Sequence, residues 1–433
     1  MSHQTRLGSC KDNGFAPFGY VKISLLSFGL AALWGSLNDI ILPLRVLDFV
    51  SASQKNTYLG LVTFTGLILA VIVQPIAGAI SDSSELRWGR RRPFILLGVM
   101  LVILFLPGIA LAPDFAILLL TYCLLQVSSN TAEGPFQAFV PDLVPEKKRG
   151  RASGVKSLLQ VSGGLALIRL TAYLIGYHVG AAGSSHLWPA LGILAAILFS
   201  VMIVTLLTVK ERRRPSVARP PLLQTIRRSF DVNAKANRDF VLFLVARGLM
   251  GMPAAMLSVF ALYYLMSFVG VANPVAAAAN LLIIVGVCLV AAVYPAGRLS
   301  DAFGRKPVLA ASGLLGISGV LSLFLSRSYT AFVIGAALLG IANGTFMSSS
   351  WALATDLVAK GEEARYLGLT NLAGAGGSAL AYLMGPAIDS LNNIGKPRLG
   401  YQVMLVVCSV CFLAGTLVIL NIRNHPAPAL SAR

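Results

Sequence analysis

The chain has 433 residues, of which 56% are hydrophobic and only 12% charged, about half the charged share of a typical soluble domain. Its 35 Lys and Arg against 17 Asp and Glu give a net charge of +18, yet the placement of that charge argues against a nucleic-acid partner. Five basic residues (Arg45, Lys55, Arg327, Lys396, Arg398) are expected outside, and Arg169 and Arg247 fall within apolar runs. The remaining 28 gather in alternate loops and ends, the bias that orients a membrane protein with its basic loops inside.

Apolar runs long enough to cross a bilayer, about twenty residues each, recur twelve times. They cover approximately 20–46, 56–80, 93–112, 114–140, 152–180, 186–209, 239–268, 272–296, 307–326, 329–357, 365–388 and 399–422. Ahead of them Met1 to Phe18 is polar and reads as no secretory signal.

The first run carries Trp34, Asn38 and Asp39 on neighbouring faces. An ionisable residue inside a span is expensive and faces a cavity or a partner. Asp39 could accept sugar hydroxyls beneath an indole, or could form an ion pair with Arg169, at similar height on the fifth run.

Between the second and third runs lies Gly78-x3-Asp82, then Gly89-Arg90-Arg91-Arg92-Pro93. Half a chain later Gly297-x3-Asp301-x2-Gly304-Arg305-Lys306-Pro307 repeats the pattern. Glycines let the chain turn, each proline suits the first turn of the next helix, and the carboxylates suit helix ends and arginines. Asp82, Arg90, Asp301 and Arg305 therefore read as an inward-side latch between halves.

In the fourth run Gln126, Asn130, Glu133 and Gln137 follow spacings of four, three and four, a single helical face. Such a stripe can glue helices, but four members with a carboxylate exceed what glue requires, and Glu133 is the candidate proton carrier. On the fifth run Lys156 either pairs with Glu133 or snorkels to headgroups.

The polar stretch 210–238, with Arg212-Arg213-Arg214, divides residues 1–209 from 239–433, six runs from six. Arg247 on the seventh run must snorkel, meet water, or reach Glu133 or a substrate. Asn343 and Trp351 of the tenth run are hydroxyl-recognition candidates. Gly374-Ala375-Gly376-Gly377-Ser378-Ala379 follows no strand and reads as close helix packing rather than a nucleotide fingerprint. Cys408-x2-Cys411 reads as small apolar residues in a helix. No Walker loop, metal cluster or nucleophile–base motif is legible, so neither cofactor nor enzymatic activity is expected.

The duplicated loop resembles that of the major facilitator superfamily. The long spacing from Asp82 to Gly89, with Gln74-Pro75 ahead of it, resembles the sucrose:proton symporters and the glycoside–pentoside–hexuronide:cation symporters. Asn130 to Ala138 resembles the Asn-rich, Gly-Pro stretch of the sucrose carriers, while Pro135-Phe136, Val140-Pro141 and Glu133 two residues before the proline resemble the melibiose carriers. The resemblance implies a twelve-helix fold of two pseudo-symmetric six-helix bundles working by alternating access. It also implies that Asp39 occupies the sugar-binding position. Gln137 stands where sucrose carriers have Arg, against sucrose itself. Gln74 stands where melibiose carriers have a sodium-site Asp, which leaves a proton as the coupling ion. The expectation is a monomeric sugar or glycoside symporter of a bacterial inner membrane, with both termini cytoplasmic. An exporter of amphipathic molecules and a non-transporting assembly factor with this fold are the alternatives.

Overall fold

A computed structural model describes residues 17–84, 86, 88–145, 148–177, 187–209, 211, 237–268, 273–325, 328–357, 363–394 and 398–423. Apart from turns and short connections these are helical, and no strand occurs among them. The first span is α1 (Pro17–Ser36), a π-turn (Leu37–Ile41) and α2 (Leu42–Phe49). Then come α3 (Lys55–Ser83), α4 (Arg92–Phe105) with its short continuation α5 (Gly108–Leu111), and α6 (Phe115–Gln137) followed by α7 (Phe139–Leu143). Next are α8 (Arg149–Tyr177) and α9 (Trp188–Thr208). The second half holds α10 (Arg238–Phe268), α11 (Pro274–Phe303), α12 (Arg305–Leu325), α13 (Tyr329–Leu357), α14 (Glu363–Tyr382) continued by α15 (Met384–Asn393), and α16 (Leu399–Leu420).

Eleven of these stretches are long and apolar enough to cross a membrane by length and composition. The twelfth expected span is α14, whose apolar character is diluted by Thr370, Asn371, Ser378 and four glycines. Large apolar side chains remain exposed around the bundle, among them Leu104, Leu207, Leu314 and Leu325. A lipid-facing surface has this character, because lipid tails are as apolar as leucine.

Helix pairing repeats between the halves. α1 packs along α8 as α10 does along α14, and α3 along α6 as α11 does along α13. α4 joins α6 as α12 joins α13, while α9 closes on α1 and α4 as α16 does on α10 and α12. Contacts across the halves obey the same symmetry, α3 meeting α14 and α15 while α8 meets α11. Most of the basic linker expected over 210–238 lies outside the described residues, Glu211, Asn237 and Arg238 excepted.

Two prolines shape the interface between the halves. A proline lacks the N–H that would bond the carbonyl four residues earlier, and its ring crowds that carbonyl. Pro43 stands four residues after Asp39, and there the helix relaxes into a π-turn in which Leu42 N donates to Leu37 O. Pro386 stands four residues after Tyr382, where α14 gives way to α15. The freed Tyr382 carbonyl presses against Gly60 of α3, where a Cβ would sit 2.3 Å from the oxygen, and Gly385 lies equally close to the Asn56 carbonyl. Only glycine permits this backbone-on-backbone approach.

Among the described residues, hydrogen bonds between the halves gather from mid-span towards one end. There the buried Asp389 carboxylate of α15 accepts from Asn56 Nδ2 at 2.7 Å, Thr57 N at 2.6 Å and Thr57 Oγ1 at 2.7 Å. It thus caps the N-terminus of α3 from the opposite half, a position where negative charge is favoured. Tyr401 Oη adds a bond to Asn56 Oδ1 at 3.2 Å, and Lys55 Nζ one to Ser267 Oγ at 3.1 Å.

The opposite end carries the duplicated loops. Arg90 and Arg91 both reach Asp82 and Asp142, at 2.7 Å and 3.1 Å for the Asp142 pairs. Arg305 pairs with Asp301 and, at 3.1 Å, with Asp356. Every one of these pairs lies within a single half. The latch expected between halves is therefore present here as two clusters, each tying its loop to the end of its own fourth helix. Glu211, just past α9, accepts from the Arg90, Arg91 and Arg92 backbone N–H groups at 2.7–3.0 Å and caps α4.

Candidate functional site

Asp39 is the mid-span carboxylate that sits where the halves meet, well apart in sequence from Asp389. The π-turn sets it towards α10, and Ser258 Oγ donates to its Oδ1 at 2.7 Å. One turn further, Tyr263 Oη donates to the Pro43 carbonyl at 2.6 Å. Asp39 is half-buried, and among the described residues Ser258 is its hydrogen-bond partner and no cation pairs with it. The alternative pairing with Arg169 does not form, because Arg169 lies on an exposed face of α8. Tyr122 of α6 and Tyr382 of α14 both lie within electrostatic reach of Asp39.

Trp34 and Asn38 are committed to α6. Trp34 Nε1 donates to Ser129 Oγ at 2.9 Å, and its ring meets Tyr122 edge-on at 5.9 Å between centroids. Tyr122 Oη donates to Asn38 Oδ1 at 2.9 Å and accepts from Gln126 Nε2 at 3.1 Å. Asn130 Nδ2 donates to the Gln126 carbonyl at 2.8 Å and to Gln126 Oε1 at 3.2 Å.

The fourth-span stripe therefore divides in two. Gln126 and Asn130 are buried, at 7% and 4% exposure, and their hydrogen bonds run along α6 to Tyr122, which carries the bond to the first span. Glu133 is half-exposed and accepts from the exposed Gln137 at 3.0 Å. Lys156 feels the charge of Glu133 without touching it, and its ammonium lies 5.7 Å from the Phe136 ring centre. Gly134 brings α6 against α3 at this level, with a Cβ position 2.3 Å from the Gln74 carbonyl.

In the second half Arg247 donates through Nε to the Thr370 carbonyl at 3.0 Å and through Nη1 to Ser350 Oγ at 2.8 Å. Its guanidinium lies 5.0 Å from the Trp351 ring centre. Its partners are neutral, and no carboxylate pairs with it among the described residues. Asn343 lines a cavity of ≈ 100 Å³ within the second half, and so does Ser258. Cys408 and Cys411 turn their sulfurs to Met256 and Met252 of α10.

Three contributors were missed in sequence. Tyr122 continues the fourth-span stripe one turn earlier, so its signal was available. Asp389 is an acid beside the eleventh apolar run and was equally visible. Ser258 offers no signal, since a serine in an apolar helix usually bonds its own preceding turn, as Ser128 does here.

The family profile of the MFS/sugar transport proteins matches residues 51–366. The chain belongs to that family. Sucrose transport protein SUT1 of Oryza sativa subsp. japonica is 28% identical over 145 residues, 28% of this chain and 25% of the relative. Sucrose transport protein SUC3 of Arabidopsis thaliana is 26% identical over 187 residues, 36% of this chain and 30% of the relative. Solute carrier family 45 member 4 of Homo sapiens is 33% identical over 138 residues, 28% of this chain and 17% of the relative. The chain thus spans a third or less of the length of these relatives.

Solved structures cover far more of it. The D-xylose-proton symporter superposes with a TM-score of 0.71 at 17% identity, over 94% of this chain and 98% of the other. The nucleoside transporter NupG gives 0.70 at 15%, over 94% and 99%. At such identities the likeness establishes the fold, that of a major facilitator superfamily membrane transporter, and not the solute. Both family and fold belong to transporters rather than enzymes.

Proposed function

We propose that the chain carries a sugar or glycoside across the membrane by alternating access, coupled to a proton. The observation that carries this reading is Asp39, a half-buried mid-span carboxylate held by one neutral hydroxyl across the interface. A carboxylate in this position, with an oxygen unused, can accept sugar hydroxyls or a proton. A substrate that takes over the Ser258 bond would bind both halves at once, which couples occupancy to the movement between them. Glu133, at the edge of the buried network and in reach of Lys156, is the second titrating group. In this reading Arg247 and Trp351 of the second half, in contact with each other, serve as ion-pair and hydroxyl-recognition groups, together with Asn343. The similarity to sucrose transport proteins and to the D-xylose-proton symporter supports a sugar.

With the basic loops inside, both termini are cytoplasmic, the Asp389 end faces outward, and this conformation is closed outside. We place the protein, as a monomer, in a bacterial inner membrane.

The test is the pH of a weakly buffered suspension of proteoliposomes as disaccharides and glycosides are added in turn. Alkalinisation on adding one sugar, lost in Glu133→Gln while sugar exchange persists, is the expected result. No pH response to any sugar by folded protein would overturn the reading.

A further inference from the structure

Arg169 is a charged side chain within a span that the transport reading leaves unused. It stands eight residues before the Tyr177 end of the 29-residue α8, about 12 Å along the axis. Centred on that helix, a hydrocarbon core of about 30 Å takes roughly residues 153–173. Arg169 therefore lies inside it, on an exposed face. Among the described residues no hydrogen bond or ion pair holds it. The acids at that end are engaged elsewhere: Asp48 pairs with Arg45, Asp114 caps α6 and Asp389 caps α3. The connection over 178–186 contains no acid. The position of Arg169 relative to the other half is also defined. At about 100° per residue, Leu165 and Gly176 point within about 40° of it. Leu165 packs against Gly286 of α11, and a Cβ on Gly176 would sit 3.5 Å from Asn273 Nδ2 at the start of α11. Arg169 thus stands between two points where α8 of one half meets α11 of the other. On its far flank Tyr173, one turn nearer the helix end, is 62% exposed.

From this placement we propose that Arg169, at the lipid edge of the seam between α8 and α11, binds the headgroup phosphate of an anionic phospholipid in the leaflet at the Asp389 end. A guanidinium left in hydrocarbon without a counter-charge is expensive, and its stem is long enough to carry it to the interface. The negative group it meets there is a phospholipid phosphodiester. A planar guanidinium offers such a phosphate two parallel N–H groups, where an ammonium offers a point charge. Phosphatidylglycerol keeps its full charge for Arg169, whereas the tethered ammonium of phosphatidylcholine offsets the phosphate beside it. Tyr173 adds an amphipathic ring at headgroup depth. The headgroup rests on α8 beside α11, on the line along which the two halves part.

The experiment titrates the full chain, purified in detergent, with phosphatidylglycerol or phosphatidylcholine of the same acyl chains, and counts bound lipids by native mass spectrometry. The first phosphatidylglycerol is expected to bind about fivefold more tightly than the first phosphatidylcholine, the share of one basic residue at a membrane surface. Arg169→Gln should erase that preference. It takes a charge off a lipid-facing surface and breaks no hydrogen bond within the described residues, so the variant is expected to fold. Arg169→Lys keeps the charge without the fork and should retain part of the preference, which leaves a second variant to decide if the first does not accumulate. Arg151→Gln removes a charge from the other end of the same helix and should leave the preference intact. Equal affinity for the two lipids in the unaltered chain would overturn the site, and so would a preference that survives Arg169→Gln. An equal loss in Arg151→Gln would overturn it too, because the attraction would then belong to the basic chain as a whole.

Discussion

At the residue scale the decisive contrast is between polar groups already spent on protein partners and those still available. Asn130, Gln126 and Tyr122 form a chain of hydrogen bonds along α6 that ends on Asn38 of the first span. Asp39 has one bond, to a hydroxyl that a substrate can replace. A hydrogen bond to a charged acceptor contributes roughly 1.5–3 kcal/mol, so Asp39→Asn is expected to weaken sugar binding about 10- to 100-fold. Asn130→Ala cuts the buried network instead, and should lower thermal stability by about 1–3 kcal/mol. Binding isotherms and unfolding curves on the two variants check the division. If Asp39→Asn binds sugar normally, the site is elsewhere. Acids were legible in sequence because a charge in an apolar run is conspicuous. What each polar residue touches was not, because a helical face gives direction but no neighbour: the same stripe contains both buried glue and accessible carboxylate.

At the element scale, prolines decide where helices bend and a carboxylate decides where they meet. Eleven of the twelve expected spans stand on apolar length alone, and α14 does not. The π-turn at Asp39 and the break after Tyr382 follow from Pro43 and Pro386, yet a proline in a span only marks a disturbance, and its form depends on the partner helix. The Asp389 cap was hidden because it joins residues more than 330 positions apart. An amide at 389 keeps one acceptor oxygen where the carboxylate has two, and places N–H groups against the α3 donors. Asp389→Asn should therefore loosen the contact by about 2 kcal/mol, shifting the closed-to-open ratio at that end about 30-fold. The readout is labelling of Ala261→Cys, in a chain with its native cysteines replaced, by a membrane-impermeant maleimide added on the Asp389 side. An unchanged labelling rate would mean that the cap is not part of the gate.

At the scale of the whole molecule, the two halves repeat in pairing but differ in how firmly their loops are held. Asp142 is 25% exposed and takes two arginines, one of them only 5% exposed. Asp356 is 47% exposed and takes one arginine that is itself 27% exposed. Solvent screens the second pair, whose worth is about 0.5 kcal/mol. Removing the charge of Asp142 leaves two partly buried guanidinium groups sharing Asp82 as their carboxylate and should cost about 2 kcal/mol. Asp142→Asn is thus expected to lower the unfolding temperature by several degrees and Asp356→Asn by less than one or two, measured on purified protein in the same detergent. Because the Asp142 and Asp356 pairs stay within their own halves, neither has to break when the halves rock, whereas the Asp389 cap does. The same Asp142→Asn protein should therefore leave Ala261→Cys labelling from the Asp389 side unchanged. A variant that altered labelling as strongly as Asp389→Asn would show that the loop cluster governs the motion between halves rather than the integrity of one.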